Sequence, residues 1–341
     1  MIGNREYKYK GENDEGYYEV NGEKKNLLEE DWDLLVILDA CRFDFFKDLY
    51  TKKYKHLGGD LKKAISPATF TPVWLNKIFK GFYDDIVYVS SQPYVNSKTE
   101  AVDRYGFKFD AKKHFFKIID VWKWGWVDQL GTVPPRFINE AFLKARDVYK
   151  NKRFILHYLQ PHGPYISRNY IPYFEDVKKR ELALTVASRK GEQTSKRVEK
   201  TLVKIRMRSG EIIEKALGVQ GRWKISKILG ISPLSQEDAI GFKEGMRGIR
   251  KAYRENLELV LEQVAELLES VSGNILITAD HGEFLGEYGR YGHPVQPRRS
   301  PNTEVPWLAI KRDESKQKEA GDKEINIVKE RIKWLKKSGR V

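Results

Sequence analysis

Residues 274–293 read NILITADHGEFLGEYGRYGH, and this stretch decides the fold. Its first part, Asn274–Asp280, is a short β-branched run without polar alternation. Such runs mark strands buried on both faces of a parallel sheet. The run stops at Asp280 and His281 and passes into a glycine-rich loop that reaches His293. Outward from here, LLVIL (Leu34–Leu38) is a second run of the same kind, and it too stops at an acid, Asp39. DIVYVSS (Asp85–Ser91), RFILHYL (Arg153–Leu159) and VPWLAIK (Val305–Lys311) share the character. Helix-period stretches lie between them. In Phe242–Ser270 a stripe is formed by Ile249, Tyr253, Leu257, Val260, Leu261, Val264 and Leu267, which is the pattern of a core-facing helix. Gly273 then separates it from the next strand. The alternation predicts an α/β fold, a three-layer α/β/α sandwich around a mostly parallel sheet. Ligands of such sheets bind beyond the carboxyl ends of the strands, so Asp39, Asp280 and His281 can converge from distant positions. Two carboxylates and an imidazole suit a divalent cation.

The 341 residues are read as one domain, 1–341. An aromatic content of 12% excludes a solvated, disordered chain. No apolar run approaches the roughly 20 residues of a membrane-spanning helix, and the opening MIGNREYKYKGENDE lacks the apolar core of a secretory signal. A single cysteine, Cys41, rules out an internal disulfide framework. The expectation is a cytoplasmic protein, with peripheral attachment to a membrane as its variant. The net charge is +14, and its excess is local. Lys178–Lys227 holds 15 Lys and Arg against 5 Asp and Glu. This region breaks the strand–helix rhythm and is read as a basic helical insert over about 174–235. A phosphate-rich polymer or an anionic membrane surface is the partner such an insert suits. Ile325, Val328, Ile332 and Leu335 predict an amphipathic terminal helix over about 325–337.

Three segments together carry a family resemblance. Thr278-Ala279-Asp280-His281-Gly282-Glu283, continuing through Gly286-Glu287 to Gly292-His293, resembles the last metal-binding motif of the alkaline phosphatase superfamily, in its sulfatase-like branch and particularly the archaeal members. Leu38-Asp39-Ala40-Cys41-Arg42-Phe43-Asp44 resembles that branch's first metal-binding turn, and Gln160-Pro161-His162-Gly163-Pro164-Tyr165 its middle histidine motif. The insert and both termini are not covered. The resemblance implies a metal-held nucleophile that attacks phosphorus or sulfur. Sulfatases carry a Cys-x-Pro-x-Arg pattern for that nucleophile, and this chain lacks it. Thr69-Phe70-Thr71-Pro72-Val73-Trp74 instead resembles the phosphopentomutase spacing.

Thr69 is therefore preferred over Thr71 as nucleophile, since metal coordination activates a threonine hydroxyl. The implied metal set is Asp39, Thr69, Asp280 and His281, holding one divalent ion (Mn, Zn, Mg or Ca) in preference to two. His162 and His293 would contact the substrate phosphate or protonate the leaving group, and would be the ligands of a second ion. Arg42, Thr71 and Arg298 are the substrate-binding candidates. The expected activity is hydrolysis or transfer of phosphate esters, monoester or diester. Two alternatives stand beside it: a sulfatase, and a non-catalytic polyanion-binding protein acting through the insert. His157, inside a predicted strand, is expected to be a buried hydrogen-bonded core residue.

Overall fold

The computed structural model describes residues 16–103, 105–179, 193–295 and 298–312. The predicted terminal helix at 325–337 lies outside them. In chain order the strands are β1 (Tyr17–Val20), β2 (Glu23–Asn26), β3 (Leu34–Leu38), β4 (Asp60–Ile65), β5 (Tyr83–Ser90), β6 (Ala101–Val102), β7 (Lys108–Phe109), β8 (Phe115–Asp120), β9 (Arg153–Tyr158), β10 (Gly273–Thr278), β11 (Phe284–Leu285), β12 (Tyr291–Gly292) and β13 (Glu304–Arg312). The helices are α1 (Phe43–Leu49), α2 (Thr71–Ile78), α3 (Val121–Trp124), α4 (Pro135–Val148), α5 (171–179), α6 (Gln193–Ile228) and α7 (Gln236–Glu269).

Nine strands form one sheet in the order β2-β1-β4-β13-β10-β3-β9-β5-β8. From β10 to β8 the neighbours run parallel, with Thr278 beside Ile37 and Leu38 beside Tyr158. LLVIL is buried along its whole length, as the unbroken apolar run predicts. The other half of the sheet is antiparallel, so the sheet is mixed. The fifth predicted strand, β13, runs against β10. A parallel return needs a crossover over one face of the sheet; among its described residues the connection from Asp280 to Thr303 holds only short strands and a single 3₁₀ turn. The N-terminal hairpin β1–β2 extends the same edge.

Side-chain alternation on β9 separates the layers. His157 faces Trp74 of α2, while the Tyr158 hydroxyl donates to Asn139 Oδ1 of α4 at 2.6 Å. Helices α1 and α4 pack on α7 on that second face, which completes the three layers. All seven stripe residues of α7 are buried. A break at Gly245, φ 65°, divides α7 near its start. In α6 a similar break falls at Gly218, φ 70°. Beyond it, Val219 and Trp223 join Ile249 and Tyr253 in a second, smaller apolar cluster.

Candidate active site

The parallel strands deliver their chemistry at one edge. Asp39 follows β3, Gln92 follows β5, His162 follows β9, and Asp280 and His281 follow β10. Ligand atoms of Asp39, Asp280 and His281 all lie within 4.8 Å of one another, and the three residues are buried. His281 Nδ1 lies 2.8 Å from the Gly282 carbonyl and donates to it. Its Nε2 lone pair therefore points at Asp280 Oδ2, 3.3 Å away, and Asp39 Oδ1, 3.8 Å away. Asp39 Oδ1 is buried with no hydrogen-bond partner, whereas Oδ2 accepts from Gln92 Nε2 at 2.7 Å. Burial holds the Asp39 carboxyl well above the usual carboxylate range, and the Asp280 charge adds to this. Burial also lowers the His281 pKa. An unpartnered carboxylate oxygen, a second carboxylate and an imidazole nitrogen facing one point fit a divalent cation. Among the described residues this is the one such group.

The turn that presents Asp39 is fixed from α7. Ala40 adopts φ 59°, a left-handed conformation that costs a non-glycine residue about 1–2 kcal/mol. Tyr253 Oη donates to the Ala40 carbonyl and accepts from the Arg42 N–H, each at 2.8 Å, and Ala40 N–H donates to Asp280 Oδ1 at 3.1 Å. One turn along α7, Asn256 Nδ2 donates to the carbonyls of Pro161 and His162, and its Oδ1 accepts from Ile166 N–H. A single face of α7 thus sets both the first turn and the middle histidine loop. Gln92 and Asn256 were not singled out in the sequence, and Tyr253 was read only as a core-facing stripe residue. Their signal is positional: a polar residue just past a strand end, and polar groups within an otherwise apolar helix stripe.

The two threonines separate clearly. Helix α2 begins at Thr71, with Pro72 in its first turn. Thr71 Oγ1 donates to Asp280 Oδ2 at 2.7 Å and lies 3.4 Å from His281 Nε2. Thr69 Oγ1 donates to the Val295 carbonyl at 3.0 Å. The structure therefore brings Thr71 into the cluster, and Thr69 ties down the loop after His293. The Thr-Pro pair was the available signal, because proline favours the first helical turn and so puts Thr71 at a helix start.

His162 and His293 meet beside the cluster, Nε2 to Nε2, at 2.8 Å. His162 Nδ1 lies 2.5 Å from the Gly163 carbonyl and donates to it. Its Nε2 is then an acceptor, so the bridging proton belongs to His293 Nε2. The His293 ring also stands 4.5 Å from that of His281, centroid to centroid. Gln160 turns away, donating to Thr132 Oγ1 and the Val133 carbonyl.

The arginine candidates are engaged in holding loops. Arg42 forms a two-pronged pair with Asp44, a 3.0 Å ion pair with Glu287 and a bond to the Glu283 carbonyl. Arg298 donates to the Ser66 carbonyl at 2.7 Å. Cys41 is buried, and burial pushes its thiol pKa up, so it offers no ready thiolate. His157 is fully buried, with Nδ1 2.8 Å from the Tyr88 hydroxyl.

A cavity of about 970 Å³ opens beside the histidine pair; its lining includes Tyr105, Tyr165, Glu237 and Glu283. Glu283 was missed as a candidate although it stands in the Asp-His-Gly-Glu run. Burial pushes its carboxyl up to about 8, with His162 and Arg42 opposing and Glu237 and Asp39 adding to the shift. Its Oε1 has no hydrogen-bond partner.

Fold and site together define an α/β/α sandwich with a buried carboxylate–imidazole cluster and a threonine hydroxyl at the carboxyl edge of its parallel strands. No family model matches the sequence, and no curated protein matches it. Solved structures similar to the chain include the soluble domain of lipooligosaccharide phosphoethanolamine transferase A from Neisseria meningitidis, at 14% identity over 81% of this chain and 75% of that one, with a TM-score of 0.44. A protein in the alkaline phosphatase superfamily from Vibrio parahaemolyticus is similar at 12% identity over 83% of this chain and 61% of that one, TM-score 0.40. A phosphonate monoester hydrolase from Silicibacter pomeroyi is similar at 13% identity over 83% and 68%, TM-score 0.41.

Proposed function

We propose that the chain is a divalent-metal-dependent enzyme of the alkaline phosphatase superfamily that transfers or hydrolyses phosphate esters, with Thr71 as nucleophile. The observation that carries the reading is the Thr71 hydroxyl at the start of α2, 2.7 Å from Asp280 within the Asp39–Asp280–His281 cluster. Asp39, Asp280 and His281 are the metal ligands in this reading, with Thr71 beside them in place of Thr69. A bound divalent cation supplies positive charge to the nucleophile and to the phosphoryl oxygens.

The chain's own groups then have distinct tasks. The positive end of α2 favours the Thr71 alkoxide, and the proton leaves along the hydrogen bond to Asp280 Oδ2. The Thr71 oxygen bonds to phosphorus as the ester P–O bond breaks, leaving a phosphothreonine. Carrying one added proton, the His162–His293 pair would pass it to the departing alkoxide and return to the neutral pair. Water or an alcohol acceptor then displaces the threonine oxygen from phosphorus. The buried site next to an open cavity supports a substrate with a bulky leaving group.

A matched panel of nitrophenyl phosphate monoester, phosphate diester and sulfate ester tests the reading, each with Mn²⁺, Zn²⁺, Mg²⁺ or chelator. The reading expects metal-dependent turnover of a phosphate ester with the sulfate inert. Turnover of the sulfate alone contradicts it.

A further inference from the structure

The cavity beside the histidine pair carries both signs of charge in equal number. Glu214, Glu237 and Glu283 line it, and so do Lys215, Arg222 and Arg290. Arg222 is already paired, with Glu214 at 2.9 Å and with Asp238 at 2.5 Å. The Glu283 carboxyl is different. It is 4% exposed, and its Oε1 has no hydrogen-bond partner. Glu237 reaches the same wall, because a Cβ on Gly163, the residue after His162, would collide with its Oε1. Tyrosine rings belong to the lining as well. Tyr291 is set against Trp223, 6.0 Å between centroids, and Tyr288 stands 61% exposed.

We propose that this cavity binds a neutral, hydroxyl-rich group, a polyol or a sugar, as the alcohol side of the phosphate ester. The argument is one of matching. An anionic group would be drawn to Lys215 and Arg290 but held against Glu237 and Glu283. A cationic group meets the reverse conflict. An apolar group would seal the Glu283 carboxyl from water and leave it without a partner, which is costly. Hydroxyls avoid all three conflicts, since each one both donates and accepts. They donate to the carboxyl oxygens of Glu237 and Glu283, and two neighbouring hydroxyls suit the two oxygens of one carboxylate. They accept from Lys215 and Arg290. The tyrosine rings offer apolar faces to the C–H side of a sugar ring and phenol groups to its hydroxyls. A volume of about 970 Å³ has room for such a group. That the hydroxylated group is the departing alcohol rests on the phosphate-ester reading, whereas its binding in the cavity does not.

Matched phosphate monoesters test the proposal in the full chain. Glucose 6-phosphate is compared with cyclohexylmethyl phosphate, ribose 5-phosphate with cyclopentylmethyl phosphate, and glycerol 1-phosphate with propyl phosphate. Release of inorganic phosphate is followed with the preferred metal. In at least one pair kcat/KM should favour the hydroxylated ester by about a hundredfold or more, because a site built to hydrogen-bond hydroxyls rejects the analogue that lacks them. E237Q should reduce that ratio about tenfold or more, mainly through KM. E283Q should do the same, and E237Q keeps the test open if E283Q does not fold. A second arm needs no turnover. In chelator, saturation-transfer NMR should show methyl glucoside, methyl riboside or glycerol bound to the wild type and to T71A alike, and bound more weakly by E237Q. Binding in chelator without turnover of any ester separates a failed catalytic reading from a failed proposal. Equal turnover within every pair overturns the proposal, as does preference for 6-aminohexyl phosphate over all the hydroxylated esters. Absence of binding by all three hydroxylated probes in chelator overturns it too, as does a hydroxyl preference that both glutamate variants leave unchanged.

Discussion

Thr69 and Thr71 are two residues apart and chemically alike, yet their hydroxyls serve different neighbours. Thr71 donates to a carboxylate in the ligand cluster, and Thr69 donates to a backbone carbonyl. The T71A variant should therefore lose at least about a thousandfold in kcat for the phosphate ester, the scale seen when a covalent nucleophile is removed. T69A should keep most of its turnover and instead lose stability, about 1 kcal/mol for one buried hydrogen bond, read from denaturant unfolding. Asp280 accepts from both Thr71 Oγ1 and Ala40 N–H. D280N should abolish the rise in thermal midpoint that saturating Mn²⁺ or Zn²⁺ gives the wild type; at a hundredfold excess over Kd that stabilisation is about 2.7 kcal/mol.

Among the elements, α7 does the most to organise the site, through Tyr253 and Asn256. The apolar stripe of this helix was legible in the sequence, because burial imposes a 3.6-residue period on composition. The hydrogen-bonding roles of these two side chains were not, since Tyr253 reads as one more stripe residue and Asn256 as its polar neighbour until their partners are known. Y253F removes one hydroxyl and leaves the Ala40 carbonyl and Arg42 N–H unpaired. We expect about 2 kcal/mol of destabilisation and a weaker metal response, because Asp39 precedes that turn. The strands show a matching division. The parallel runs β3, β5, β9 and β10 were legible as continuous apolar segments. In the antiparallel half only β13 was read as a strand; β1, β2 and β4 were not, because they are short and carry charged residues, and pairing at a sheet edge needs no apolar signature. Residues that end strands, Asp39, Asp280 and His281, were found because position in an α/β sheet carries chemical meaning. The roles of Arg42 and Arg298 were not legible, since their partners Glu287 and Ser66 are remote in sequence.

For the whole molecule, the buried imidazole in the central sheet links fold and pH. His157 is held down to about 4, mainly by burial; the nearby Asp280 opposes the shift and His281 adds to it. An unfolded histidine titrates near 6.5. Between these values the unfolded chain binds the proton and the folded chain does not, so stability falls as pH drops from about 6.5 to about 4. This one group accounts for up to about 3 kcal/mol of that loss. Denaturant midpoints measured across that window should show the slope, and H157Q should flatten it even if its overall stability is lower.

The account of the molecule turns on which atom attacks phosphorus, and a quench experiment reads that directly. The protein is mixed with a nitrophenyl phosphate ester and its preferred metal, stopped in acid, digested, and the peptide covering 66–77 sequenced by mass spectrometry. The account predicts a phosphate on Thr71 that is absent with chelator and absent in D280N. A phosphate on Thr69, or turnover with no phosphorylated threonine in this peptide, would contradict it.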